Sequence, residues 1–126
     1  MSRKAFEAKG ARAVGPYSHA VEAGDLVYLS GQTPIDAGTG ELVTGGIKEQ
    51  TAQCFTNLFA VLEAAGLSSD DVVKVNVFLT DMNYFSEMNE VYAIHFSEPF
   101  PARTTVAVLG LPLGANVEIE MIAKRR

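Results

Sequence analysis

The stretches Pro99-Phe100-Pro101-Ala102-Arg103-Thr104-Thr105-Val106-Ala107-Val108 and Val117-Glu118-Ile119-Glu120-Met121-Ile122-Ala123 decide how this chain folds. Both alternate and both are rich in Val, Ile and Thr, so both read as β-strands. In the first, Thr104, Val106 and Val108 share one face, and Arg103 and Thr105 share the other. In the second, Val117, Ile119 and Met121 lie opposite Glu118 and Glu120. Read as neighbouring strands, they bring an arginine and two glutamates onto adjoining polar faces. Arginine binds a carboxylate bidentately, and a carboxylate orients or deprotonates water, so a small anion-binding, water-activating site is one reading. A cross-strand surface ion pair, worth little, is the other. Parity chooses neither between these readings nor between Glu118 and Glu120.

The remaining elements follow outward from this pair. Residues 3–7 predict a short strand, and Gly15-Pro16 a loop before Tyr17. Residues 18–23 and 26–31 predict a hairpin about Ala23-Gly24-Asp25. Turn clusters follow at residues 36–40 and at Gly45-Gly46. A helix is predicted over residues 47–65, with Ile47, Thr51, Cys54, Leu58, Val61, Leu62 and Ala65 inward and Gly66 as its stop. Val72–Leu79 predicts a strand, with Val73, Val75, Val77 and Leu79 on one face. A second helix is predicted over residues 84–96, capped by Asp81 or Asn83 and ended before Pro99. The order β-β-β-α-β-α-β-β indicates an α+β fold, a mixed sheet with both helices on one face. The other face carries polar groups but also Phe78 and Ile122, which calls for a partner subunit.

At 126 residues the chain reads as one domain spanning 1–126, large enough to fold without disulfides. The net charge of -5 opposes a large nucleic-acid or anionic-membrane surface. The one cysteine, Cys54, excludes an internal disulfide and falls in the first helix as a buried thiol. No apolar run reaches membrane-spanning length, and the polar start Met1-Ser2-Arg3-Lys4 has no secretory pattern, so the cytoplasm is the expected location. No metal-binding motif or nucleotide-binding glycine pattern occurs. His95, on an apolar helical stripe, reads as a core or interface residue. His19 has no nucleophile pattern beside it, and Lys124-Arg125-Arg126 reads as a solvated tail.

Several motifs in order carry a resemblance along essentially the whole chain. They are Gly15-Pro16-Tyr17-Ser18, Tyr28-Leu29-Ser30-Gly31-Gln32-Thr33-Pro34, Thr39-Gly40-Glu41 and Glu63-Ala64-Ala65-Gly66-Leu67. Val73-Lys74-Val75-Asn76-Val77-Phe78-Leu79, Pro101-Ala102-Arg103 and Val117-Glu118-Ile119-Glu120 complete the set. In these the sequence resembles the RidA family, the reactive intermediate deaminases also called the YjgF family. The resemblance implies a cofactor-free, metal-free hydrolytic deaminase of 2-imino acids and their enamines. Its expected substrates are 2-iminobutanoate and 2-iminopropanoate, converted to 2-oxo acids and ammonia. It also implies a homotrimer in a chorismate-mutase-like trimeric fold, with sites between subunits.

By the same resemblance, Arg103 is the arginine that grips the substrate carboxylate, and Glu118 the glutamate that positions water. Tyr17 lines the cleft, Ser30 and Gly31 wall the imine, and Asn89 lies near the pocket. Thr105 stands where many relatives have cysteine, and its backbone N–H is expected to help bind the carboxylate. The change removes a reactive thiol. An endoribonuclease-type translation inhibitor, or a regulator that binds small carboxylates, is the alternative.

Overall fold

A computed structural model describes residues 2–126; Met1, read above as part of a polar start, lies outside them. Its elements are β1 (Lys4–Phe6), β2 (Ala20–Ala23), β3 (Leu26–Gln32), α1 (Ile47–Ala64), β4 (Val72–Leu79), α2 (Phe85–His95), β5 (Ala102–Ala107) and β6 (Val117–Lys124). They form one mixed six-stranded sheet in the order β1-β2-β3-β6-β4-β5. Both helices cover the same face, as expected for this α+β chain. Among the described residues no helix is long and apolar enough to cross a membrane.

The order of the last two strands departs from the expectation. β5 pairs parallel with β4, while β6 pairs antiparallel with β4 and β3. β5 and β6 are therefore not neighbours; β4 stands between them. The reason is the crossover. A parallel pair needs a long connection over one face, and α1 and α2 each supply one. The α1 crossover leaves a slot between β3 and β4, and the C-terminal strand fills it.

α1 meets the sheet through the expected stripe, which is buried from Ile47 to Ala65. It also buries Phe55, which the stripe omitted. Phe55 faces α2, where it stacks on His95 at 4.7 Å and meets Tyr92 and Phe96 edge-on at 5.8 and 5.7 Å. His95 is thus a packing residue, its Nδ1 2.9 Å from the Val91 carbonyl. Gly66, at φ +77°, ends α1: its N–H donates to Glu63 O at 3.0 Å, and Leu67 N–H to Leu62 O at 2.8 Å. Cys54 is fully buried, and desolvation pushes its thiol well above the ordinary range.

One further expectation is corrected. Val73 is exposed while Val72 is buried, because the β4–β6 register shifts between Val72 and Lys74. The bulge flips the parity of everything before it. The tail keeps Lys124 and Arg126 exposed, as expected, and its arginines also anchor it. Arg125 pairs with Glu22 and donates to Ala65 O at 2.7 Å, and Arg126 donates to Asp71 at 2.8 Å.

Candidate functional site

The sequence-predicted residues fall into two groups on opposite faces of the sheet. Tyr17, Ser30, Gly31, Glu118 and Glu120 gather on the helix-free side, where a cleft of about 470 Å³ is also lined by Val14, Thr33 and Pro112. Asn89 and Arg103 meet on the helix side, in a second cleft of about 360 Å³ lined with Tyr92, Ala93, Phe100 and Pro101.

The first group is built on a bulge in β3. Leu29 pairs with Met121 and Gln32 with Ile119, so three steps along β3 match two along β6. Ser30 and Gly31 absorb the extra residue. Ser30 is anchored by its own chain, since its hydroxyl donates to Ser18 O at 2.7 Å and its N–H to His19 O at 2.9 Å. It therefore contributes wall rather than a free hydroxyl. Gly31 is glycine because Glu118 needs the space. A Cβ there would collide with Glu118 Oε2 and lie 3.1 Å from the carboxyl carbon. Tyr17 stands at the rim, its hydroxyl accepting the Val14 N–H at 3.1 Å.

Two carboxylates face this cleft, and their surroundings differ. Glu120 accepts from Asn76 Nδ2 at 3.0 Å. Among the described residues no donor stabilises Glu118. Burial first, and then the neighbouring charge of Glu120, push its carboxyl above the ordinary range. A carboxylate held that way is the better proton acceptor. The choice between the two glutamates, which parity left open, thus gains a physical basis.

The second group is centred on Arg103. It pairs with Val75, a core residue beneath the helices, so its side chain rises on the helix-covered face. The expectation that Arg103 and the glutamates share a polar sheet face is therefore wrong. Glu118 pairs with Phe78, and Glu120 with Asn76, on the other face. Parity shows which residues travel together but not which side they take. On β5 the polar parity faces α2, because α2 offers a polar and aromatic seat. Nη1 of Arg103 donates to Asn89 Oδ1 at 2.7 Å, and the guanidinium lies 4.6 Å from the Tyr92 ring centroid and 5.6 Å from that of Phe85. Phe85, Asn89 and Tyr92 are spaced to share one face of α2, and β5's placement shows what that face serves.

Thr105 lies two residues further along the same face. Its hydroxyl is buried and, among the described residues, unpaired. Its amide is better placed. Val108 N–H donates to Leu79 O at 2.8 Å, so the even-numbered residues of β5 bond to β4. The Thr105 amide then points off the edge of the sheet, where, among the described residues, β5 has no further neighbour.

One chain thus carries a guanidinium with unused donors and an open edge amide on one side. On the other it carries a carboxylate that, among the described residues, has no donor. Among the described residues no group of His, Cys, Asp and Glu is placed to hold a metal ion.

The chain is similar to known proteins along almost its whole length. The family model described as endoribonuclease L-PSP matches residues 8–125. A protein of Dermatophagoides farinae named 2-iminobutanoate/2-iminopropanoate deaminase is 51% identical over 109 residues, covering 86% of this chain and 85% of its own. The crystal structure of RidA from the Antarctic bacterium Psychrobacter sp. PAMC 21119 superposes with a TM-score of 0.93 at 49% identity, covering 97% of this chain and 99% of its own. That of Escherichia coli TdcF with bound serine superposes with a TM-score of 0.91 at 39% identity, covering 98% and 99%. With the motifs, the sheet order and the matched length all in agreement, the chain belongs to the RidA family, the family described by the endoribonuclease L-PSP model.

Proposed function

We propose that this protein is a cytoplasmic hydrolase of 2-imino acids, releasing 2-oxo acids and ammonia, and that it works as a homotrimer with sites between subunits. The observation that carries the reading is the division of the site. Arg103 and Glu118 are each equipped for one half of the chemistry and are held on opposite faces of one sheet. An assembly that sets the β5 edge of one copy against the Glu118 face of another completes it. That face has apolar surface to bury: Tyr28 is 46% exposed and Val106 41%. A deaminase at 51% identity supports the substrate class, and a relative holding serine supports a small carboxylate ligand.

The chemistry needs little beyond placement. Arg103 takes the substrate carboxylate through two parallel hydrogen bonds, with the Thr105 N–H as a further donor. Glu118 holds a water against the imine carbon. As the water oxygen bonds to that carbon, its proton passes to Glu118 and the C=N π electrons move to nitrogen. Glu118 returns the proton to nitrogen. Glu118 then takes the proton of the new hydroxyl and passes it to the amine nitrogen, and as the carbonyl forms the C–N bond breaks and ammonia leaves. Tyr17 and the Ser30-Gly31 bulge wall the substrate. No cofactor or metal enters these steps.

A carboxylate-binding regulator has the same use for Arg103 but none for a proton acceptor. The deciding experiment couples the protein to a dehydratase that generates 2-iminobutanoate and follows 2-oxobutanoate above spontaneous hydrolysis. Glu118→Gln keeps the shape and cannot take the proton. It is expected to lower kcat by about a hundredfold or more while 2-oxobutanoate still binds. Unchanged turnover in Glu118→Gln sinks the hydrolytic role of Glu118. Salt-resistant RNA cleavage abolished by Arg103→Ala would favour the endoribonuclease reading, against which the net charge of -5 stands.

Gly31→Ala tests the carboxylate's placement. The added methyl meets a flexible carboxylate end, not backbone, so the fold tolerates it. Glu118 must swing out of position, and kcat is expected to fall by roughly tenfold or more, with the melting temperature shifted by only a few degrees. Wild-type kcat in folded Gly31→Ala would show that the Glu118 rotamer seen here is not the working one.

A further inference from the structure

Arg103 is held from one stripe of α2. Phe85, Asn89 and Tyr92 stand four and three residues apart, so they share a face of the helix. Asn89 takes one N–H of the fork at 2.7 Å, and the rings of Phe85 and Tyr92 lie against the guanidinium, their centroids 5.6 and 4.6 Å away. An arginine free to swing must be ordered each time a ligand binds, and that ordering weakens affinity. One amide and two rings order this one beforehand.

We propose that Phe85 and Tyr92 are positioning residues that hold the Arg103 fork in the plane a carboxylate requires, and that they set affinity for the substrate carboxylate without touching it. The proposal rests on Arg103 as the carboxylate anchor. Tyr92 supplies a ring rather than a hydroxyl. It is 6% exposed, and its hydroxyl is buried with no partner among the described residues. Such a hydroxyl is a cost the core bears, and its removal leaves the ring over the guanidinium unchanged.

The test uses the assembled protein, 2-iminobutanoate as substrate and 2-oxobutanoate as competing ligand. Tyr92→Leu keeps an apolar side chain and loses the ring. KM for the imine and Ki for 2-oxobutanoate are expected to rise together by on the order of tenfold, equivalent to about 1.4 kcal/mol. kcat is expected to stay within roughly threefold, the pattern of lost uniform binding. Tyr92→Phe is expected to restore both constants. Phe85→Leu, at the more distant ring, is expected to show a smaller rise of the same kind, and it carries the test if Tyr92→Leu does not fold.

A role confined to packing predicts a different pattern: a smaller active fraction, read as lower kcat, with KM and Ki unmoved. That result in Tyr92→Leu, or in Phe85→Leu where it is the variant that folds, overturns the proposal. Arg103→Ala measured alongside separates the two levels. If it loses 2-oxobutanoate affinity while the ring variants keep theirs, the positioning role alone is wrong. If it keeps affinity, the assignment of Arg103 is wrong and the positioning role falls with it.

Discussion

Arg103→Ala is expected to lower kcat/KM for 2-iminobutanoate by about two to four orders of magnitude. Hydrogen bonds to charged groups contribute about 1.5–3 kcal/mol each, and a bidentate carboxylate contact has two. Their loss corresponds to about 3–6 kcal/mol, with each 1.4 kcal/mol worth tenfold. Arg103→Lys keeps a positive charge without the planar fork, so it is expected to sit between, down by roughly tenfold to a hundredfold.

The fold has to survive for either number to mean anything, and the packing of Arg103 bounds the damage. Its removal leaves Asn89 Oδ1 without its donor and uncovers the rings of Tyr92 and Phe85. The site is half-buried and open to a cleft, so water replaces the lost donor. A cost of about 1–2 kcal/mol is expected, within a stability of about 5–15 kcal/mol. Circular dichroism and sedimentation should therefore match wild type at 25 °C. Near-wild-type hydrolysis in a folded, assembled Arg103→Ala protein would rule out the proposed anchor.

The placement of these residues shows where sequence reading succeeds and where it stops. Local chemistry was legible. Gly66 ends α1 in the left-handed conformation expected of a stop, and the stripe from Ile47 to Ala65 is buried. Alternation in β6 put Glu118 and Glu120 on one side, as found. The failures are non-local. Alternation says which residues of β5 share a face, but the side depends on the register with β4, where Arg103 meets Val75. That β6 enters between β3 and β4 is a property of the crossovers, and no window of sequence contains it. Val73 was misplaced because a bulge inserts one residue without any glycine to mark it. Phe55 was missed because α1 packs on two surfaces, and a single stripe describes only one. Alternation alone raises Arg103 and the two glutamates but leaves Glu118 and Glu120 equal, and the other site residues come from motif resemblance. Asn76, on the polar parity of β4, is the residue that separates them.

The division of the site between faces has a consequence that one chain cannot mimic. Arg103→Ala and Glu118→Gln are each expected to be nearly inactive when assembled alone. Co-expressed and co-assembled, they are expected to recover activity. If each site takes Arg103 from one copy and Glu118 from its neighbour, some interfaces in a mixed ring join an intact arginine to an intact glutamate. With equal amounts and random assembly, each copy supplies its intact residue half the time. Roughly a quarter of the sites are then complete in any closed ring built on one repeated interface. Activity should therefore reach about a quarter of wild type, and separately assembled variants mixed without subunit exchange should stay inactive. If instead both residues served a site within one copy, no mixed assembly would contain a complete site and none would recover. The measurement needs no structure of the assembly, and it separates the two arrangements by presence against absence of turnover. The monomer geometry favours recovery: Arg103 and Glu118 sit on opposite faces of a sheet, with β4 and its core side chains between their strands. No side-chain rotation brings them together in one subunit without breaking the sheet.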